Sequence, residues 1–292
     1  MSNSLQKNEI TIRPMLIEDM DSIMQLKNAE QWNQTELDWS LLINLNPKHC
    51  FVACYKNKIL GTVTAMIYGN KLAWIGMMLV SKDYRGLGIG KLLMNTIIES
   101  LKSITSIKLD ATLAGIPVYK KLGFKTTQEV LRMTSTLLLS LKEAPLYDTT
   151  LQPITKNNIN EIAEFDKKAY GVNRLALFMQ LLKQENTNNW CLRKKGEITG
   201  FILGRNGSKY YQIGPLIAQS TSDSKILLGK TLINLSGKPI LVDVFQEETE
   251  FVEWLITIGF EIQRSFTRMY LKSNINHTSQ KTQYLIAGPE LS

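Results

Sequence analysis

The chain has 292 residues, 44% hydrophobic and 21% charged, with a formal net charge of +8. At roughly 150 residues per domain there is room for about two globular domains with a sizeable core, and disorder, collagen and coiled coil are poor fits. The longest apolar run, 72–80, is well short of the ~18 residues of a membrane span, and the first ten residues lack the apolar core of a secretion signal. Three cysteines (Cys50, Cys54, Cys191) make no disulfide framework, and two histidines make no His-rich metal site, so no metal is expected. The expected setting is a reducing cytoplasm. The basic excess is spread over both halves, and aromatic residues do not alternate with Lys or Arg as nucleic-acid stacking needs. No nucleic-acid or membrane partner is expected, and an anionic small ligand is the better use of the charge.

Ile12-Arg13-Pro14 opens a strand, and Met20, Ile23 and Met24 then recur at helical spacing. Short apolar runs at 51–55, 59–68 and 72–80, parted by Lys56-Asn57-Lys58 and Gly69-Asn70, read as an antiparallel meander. Cys50 and Cys54 share one strand face by their even spacing, which suits a core role. After 72–80 comes Ser81-Lys82-Asp83-Tyr84, then Arg85-Gly86-Leu87-Gly88-Ile89-Gly90-Lys91, then a helix striped by Leu93, Met94, Ile97, Ile98 and Leu101. Glycines let backbone N–H groups turn toward a ligand, and a helix start adds partial positive charge, so the segment reads as a pyrophosphate cradle. A Walker loop is excluded because Arg85 stands at its first glycine and Leu92 at its hydroxyl position. A Rossmann fingerprint is excluded because Lys91 or Leu93 stands at its third glycine. A glycine-rich turn ahead of a helix is the plainer alternative.

The second half copies the first. Gly61 matches Gly200, Ile75-Gly76 matches Ile213-Gly214, and Leu109-Asp110 matches Val242-Asp243. Gly123-Phe124 matches Gly259-Phe260, and Arg132-Met133 matches Arg268-Met269. Nearly constant spacing over five landmarks indicates a tandem duplication of one domain, with units at 9–142 and 148–273, a joint near 143–150 around Pro145, and a tail at 274–292. Ile286-Ala287-Gly288-Pro289-Glu290 makes that tail apolar enough to fold back onto the body.

Arg85-x-x-Gly88-x-Gly90, followed by Tyr119-x-x-x-Gly123-Phe124, resembles the GNAT superfamily of acyl-CoA-dependent N-acetyltransferases. The likeness covers the first half. The Trp32-Asn33-Gln34-Thr35 segment, the stretch 109–115 and the second half resemble a bacterial subgroup with tandem GNAT domains. The resemblance implies an α/β (α+β) fold: two domains, each a mixed, mostly antiparallel twisted sheet flanked by helices.

It further implies acetyl-CoA as co-substrate and an amine acceptor, a small molecule or a protein lysine. Met78 and Val80 would pair with the pantetheine arm, and backbone amides of Arg85, Gly86, Leu87, Gly88, Ile89, Gly90 and Lys91 would hold the pyrophosphate. The Leu79 N–H, or that of Met78, would serve as oxyanion donor, and Tyr119 would hydrogen-bond the sulfur and act as general acid. Thr112 and Gly115 stand where relatives carry Asn and Ala, and both are expected to touch the cofactor.

An alkylamine of pKa ~10.4 costs about 5 kcal/mol to deprotonate at neutral pH, so a base or water chain is required near the thioester. Asp110 and Asp38 are the candidates, as base or as counter-charge, with a solvated cap or turn as the alternative for each. Trp32, Gln34, Asp38, Asp166, Tyr170, Arg174 and Asp243 are candidates for an acceptor pocket, with surface or core roles as the alternative. With no cysteine near the motifs, direct attack is expected.

In the second half, 219–225 carries neither Arg nor Gly-x-Gly, and Leu255 stands where the tyrosine would be. This copy is expected to shape the acceptor pocket or to support the first. A non-catalytic acyl-CoA sensor or interaction module is the competing reading, and either a monomer or a homodimer is compatible with the sequence.

Overall fold

The computed structural model describes residues 9–136, 149–184, 188–275 and 282–292. The first half runs β1 (Thr11–Pro14), α1 (Met20–Ala29), α2 (Glu36–Leu45), β2 (Cys50–Tyr55), β3 (Lys58–Tyr68), β4 (Leu72–Val80), α3 (Ile89–Ser100), β5 (Ser106–Ala111), α4 (Ile116–Lys121) and β6 (Lys125–Ser135). The second half repeats this as β7 (Thr149–Pro153), α5 (Ile159–Tyr170), α6 (Leu175–Lys183), β8 (Trp190–Lys194), β9 (Glu197–Arg205), β10 (Tyr211–Ala218), α7 (Thr221–Asn234), β11 (Ile240–Phe245), α8 (Thr249–Thr257) and β12 (Glu261–Lys272). A last strand, β13 (Gln283–Leu285), follows. The joint expected at 143–150 lies, up to residue 148, outside the described residues.

The expected pair of sheets is one mixed, mostly antiparallel sheet of 13 strands, ordered β1-β2-β3-β4-β5-β12-β6-β11-β13-β10-β9-β8-β7. The halves exchange their last strands. β12 lies against β5 of the first half, β6 lies against β11 of the second, and β6 and β12 pair with each other at the centre. Two of the repeated landmarks acquire a cause here. Arg132 stands opposite Asp243 and Arg268 opposite Asp110, so each duplicated Arg meets the duplicated Asp of the other half. Both pairs are bidentate, at 2.7 and 2.8 Å for Arg132 and 2.8 and 2.9 Å for Arg268. All four residues are buried or nearly so. Removing one partner of such a pair strands a charge, which costs about 3–5 kcal/mol.

β3 is buried at nearly every position, as a strand covered on both faces must be. On one face, α1, α2, α5 and α6 share a single core to which both halves contribute, including Trp39, Trp74, Phe178 and Phe201. On the other face, α3 buries Leu93, Met94 and Ile97 against Leu60, Ile75 and Ile107. The helices α7 and α8 bury Leu227, Leu228 and Phe251 against Ile213 and Val242. All three cysteines are buried and free, and burial pushes the Cys50 thiol up to about 12. No helix among the described residues is long and apolar enough to cross a membrane.

Candidate active site

β4 and β5 are parallel partners only from Leu72 to Trp74, opposite Ser106 to Lys108. Beyond that point they diverge and leave a cleft. The edge of β4 facing it is set by a bulge at Met77, which has φ 50°. Thr62 Oγ1 donates to Met77 O at 2.7 Å. The N–H and C=O of one peptide point in opposite directions, so the Met78 N–H turns into the cleft.

Leu79 is turned the other way. Ser81 N–H donates to Leu60 O at 2.8 Å, Leu79 stands opposite Thr62, and Leu79 O lies 2.6 Å from where a Cβ on Gly61 would sit. By the alternation of an antiparallel ladder, Leu79 therefore bonds to β3 and not to the cleft. Of the two N–H groups expected as oxyanion donor, that of Leu79 is thus turned away and that of Met78 faces the cleft. Val80 presents its N–H to the cleft, while its carbonyl accepts from Arg85 Nε at 3.1 Å.

The loop after β4 reaches α3 through two left-handed glycines, Gly86 (φ 83°) and Gly88 (φ 81°), the latter at the N-cap without any side-chain cap. A Cβ on Gly86 would meet nothing, so its backbone conformation alone calls for glycine. An uncapped helix start leaves its first amides unpaired, and these are anion donors. Leu87, Gly88, Ile89, Gly90 and Lys91 supply them. A Cβ on Gly90 would come within 3.3 Å of the Met78 side chain, so this glycine brings the helix start close to the cleft edge. The Arg85 guanidinium does not point into the cradle: it bridges Val80 O and Glu30, the latter at 2.6 Å. Its own N–H donates to Lys82 O.

Across the cleft, the Thr112 carbonyl accepts from Gly115 and Ile116 N–H and so starts α4, which carries Tyr119. A Cβ on Gly115 would lie 2.8 Å from the Tyr119 ring, so the glycine makes room for the ring rather than for a cofactor. Burial pushes the Tyr119 phenol up to about 12, which keeps it a hydrogen-bond donor at neutral pH. The cleft has a cavity volume of about 120 Å³ and is lined by Ile75 to Met78, Asp110, Thr112 and Tyr119. On the far side stand Trp32, Gln34, Arg132, Arg264, Phe266 and, from the last segment, Pro289 and Glu290. Gln34 is buried, and its Oε1 has no hydrogen-bond partner among the described residues.

Several expected acceptor residues lie elsewhere. Asp110 lines the cleft, but both its oxygens are held by Arg268, so it is a structural ion-pair partner rather than a free base. Asp38 is buried, pairs with Arg205 at 2.7 Å and accepts from the Thr35 N–H ahead of α2. Asp166 and Arg174 pair with each other in the core, and Asp243 pairs with Arg132. Tyr170 is buried, accepts from Trp74 Nε1 at 2.7 Å and donates to the main-chain oxygen of Ser292. In each case a buried charge or hydroxyl found its partner within the fold, and of these residues only Asp110 lines the cleft.

Glu290 was not singled out by sequence reasoning. The last segment runs over Gly214 and then Gly76: a Cβ on Gly214 would lie 2.0 Å from Ile286 O, and one on Gly76 would lie 2.7 Å from the Glu290 backbone. The repeated Ile-Gly landmark thus marks the track of this segment. Arg205 anchors it, donating to Ala287 O and, at 2.7 Å, to Glu290 Oε1. Burial pushes the Glu290 carboxyl above the ordinary carboxylate range, and Arg205 opposes that shift.

The corresponding features of the second half are filled. β13 occupies the gap between β10 and β11, pairing with Leu216 and Ile217 on one side and Val244 on the other. Ser220 caps α7 by accepting from Asp223 N–H, so that helix start already has an acceptor. Leu255 is buried in the core.

Residues 15–124 match the family described as "Acetyltransferase (GNAT) family", and residues 162–285 match the one described as "Acetyltransferase (GNAT) domain". The chain is a tandem GNAT acetyltransferase. This GNAT protein is 25% identical over 282 residues to a holothin acyltransferase of Pseudoalteromonas sp. (strain SANK 73390), covering 96% of this chain and 94% of the relative. It is 26% identical over 202 residues to the uncharacterized N-acetyltransferase YitH of Bacillus subtilis (strain 168), covering 69% and 70%.

Its fold is shared with a putative acetyltransferase from Pyrococcus horikoshii, with TM-score 0.79, 24% identity and 99% and 98% coverage. It is also shared with a tandem GNAT protein from the clavulanic acid biosynthesis pathway, with TM-score 0.65, 12% identity and 92% and 100% coverage. Enzymes of this family transfer an acyl group from an acyl-CoA, so the protein is an acyltransferase with an acceptor substrate.

Proposed function

We propose that this GNAT protein transfers an acetyl group from acetyl-CoA to the primary amine of a small molecule. The observation that carries this reading is the uncapped start of α3 opening onto the β4–β5 cleft, with the Met78 N–H, Tyr119 and Glu290 around it. The unpaired amides of 87–91 would hold the pyrophosphate, and the free Val80 N–H would pair with the pantetheine. Acetyl-CoA would supply an activated thioester there. A short acyl group suits the space, because the Glu290 backbone closes β4 at Gly76, two residues before Met78. A cleft walled by both halves suits a small acceptor better than a protein lysine.

The chain's own groups meet the needs of aminolysis. As the C–N bond forms and the C–S bond breaks, one proton must leave nitrogen, and the sulfur departs as a thiolate that takes its proton from solvent afterwards. Glu290, a buried carboxyl brought closer to working pH, takes the first. The Met78 N–H steadies the developing oxyanion, a contribution of about 3 kcal/mol for one such donor. Tyr119 donates a hydrogen bond to the departing sulfur. With its phenol near 12 against a thiol near ~8.5, it acts as a donor that steadies the thiolate rather than as a strong acid. The second half does not bind a second acyl-CoA. It contributes β12, Arg205 and the last segment to the first site. The test is CoA release from acetyl-CoA with a mixed panel of primary amines: release dependent on an amine supports the reading, and its absence across amines of every charge type refutes it.

A further inference from the structure

Every fully buried arginine around the cleft stands against a carboxylate. Arg132 holds Asp243, Arg174 holds Asp166, Arg205 holds both Asp38 and Glu290, and Arg268 holds Asp110. Arg264 breaks this pattern. It lines the cleft, and its Nε is buried with no hydrogen-bond partner among the described residues. In the β6–β12 ladder it stands directly opposite another cation, Arg132. Like charges so placed repel, and a guanidinium half removed from water without an anion is destabilising. Burial and Arg132 both lower its pKa. Its guanidinium stays 5.0 Å from the Phe266 ring centre, which holds it at the cleft wall. The same cleft holds two groups that suit an amine: Gln34, whose buried Oε1 is unpartnered, and Glu290.

We propose that the acceptor is an amino acid, its carboxylate bound by Arg264 and its amino group met by Gln34 and Glu290. This deepens the reading above and rests on it. A carboxylate rather than a phosphate is indicated because no lysine among the described residues lines the cleft, and Arg132 is already neutralised by Asp243. One free guanidinium matches one negative charge, and its planar fork fits a carboxylate with two parallel hydrogen bonds.

The test uses two matched series, the common L-amino acids and their methyl esters, assayed for CoA release while acetyl-CoA binding is measured in parallel. The best amino acid should exceed its ester at least about tenfold in kcat/KM, the least a hydrogen bond between charged groups provides. Esterification lowers the pKa of the amine and so favours the ester chemically, which makes the comparison a strict one. Arg264→Gln should bring that amino acid down to the ester's level through KM while leaving acetyl-CoA binding unchanged. Esters equal to the acids, or an acid preference that survives Arg264→Gln, would overturn the proposal. If neither series releases CoA while acetyl-CoA still binds, the amino-acid assignment fails alone; if acetyl-CoA does not bind, the reading beneath it fails.

Discussion

Glu290→Gln separates catalysis from folding. Glutamine keeps the side-chain length and an oxygen for Arg205, and Arg205 still holds Asp38 at 2.7 Å and Ala287 O. The stability loss should therefore be small, about 1–2 kcal/mol, the range of one hydrogen bond to a charged group less the relief of burying one charge fewer. The rate loss should be larger. Removing a positioned base typically slows the step 10²–10⁴-fold, which corresponds to about 3–5 kcal/mol of barrier. The two effects are read apart by CoA release and urea unfolding on the same preparation. The wild-type kcat/KM should fall at low pH along a limb set by a carboxyl above the ordinary carboxylate range, because only the ionised form accepts a proton. In Glu290→Gln that limb should vanish. A folded variant within threefold of wild type, with the limb intact, would remove Glu290 from the chemistry.

Tyr119→Phe should lower kcat about tenfold or more while leaving acetyl-CoA affinity nearly unchanged; an unchanged kcat would show that the phenol does not contact the sulfur. Asp243→Ala should destabilise the protein by about 3–5 kcal/mol in urea, since it strands buried Arg132 and detaches one exchanged strand from its partner. A loss under 1 kcal/mol would contradict that account. Lys108→Met should raise the unfolding midpoint at pH 7. Burial, chiefly, lowers the Lys108 pKa to about 8. Below about 8 both states bind the proton and the whole penalty, about 3 kcal/mol, is present; between about 8 and 10.5 only the unfolded chain binds it. Stability should therefore rise with pH over that window in the wild type and stay flat in Lys108→Met.

Local chemistry was legible in the sequence, and crossings were not. Gly86, Gly88 and Gly90 announce an anion-binding helix start because left-handed turns and close packing leave few other residues possible. The duplicated Arg132/Arg268 and Asp110/Asp243 were visible as repeats, yet nothing in either strand states that it pairs with the other half. A strand's own alternation is the same in both arrangements. The sequence left open which of the Met78 and Leu79 amides faces the cleft, because the bulge at Met77 decides it and a bulge at a methionine carries no sequence mark. Glu290 escaped notice because it reaches the site from the end of the chain, over two glycines whose repeat was seen but whose burden was not. Asp38, Asp166 and Asp243 looked available because their partners, Arg205, Arg174 and Arg132, are brought to them only by the fold.

The central claim is one acyl-CoA site per chain, in the first half. Calorimetric titration with acetyl-CoA tests it most directly, on wild type and on Gly88→Glu, which places bulk and negative charge at the left-handed N-cap of α3. Thermal unfolding would confirm that the variant is folded. One acetyl-CoA bound per chain, lost in Gly88→Glu, is the predicted result. Two sites per chain, or affinity that survives the substitution, would contradict it.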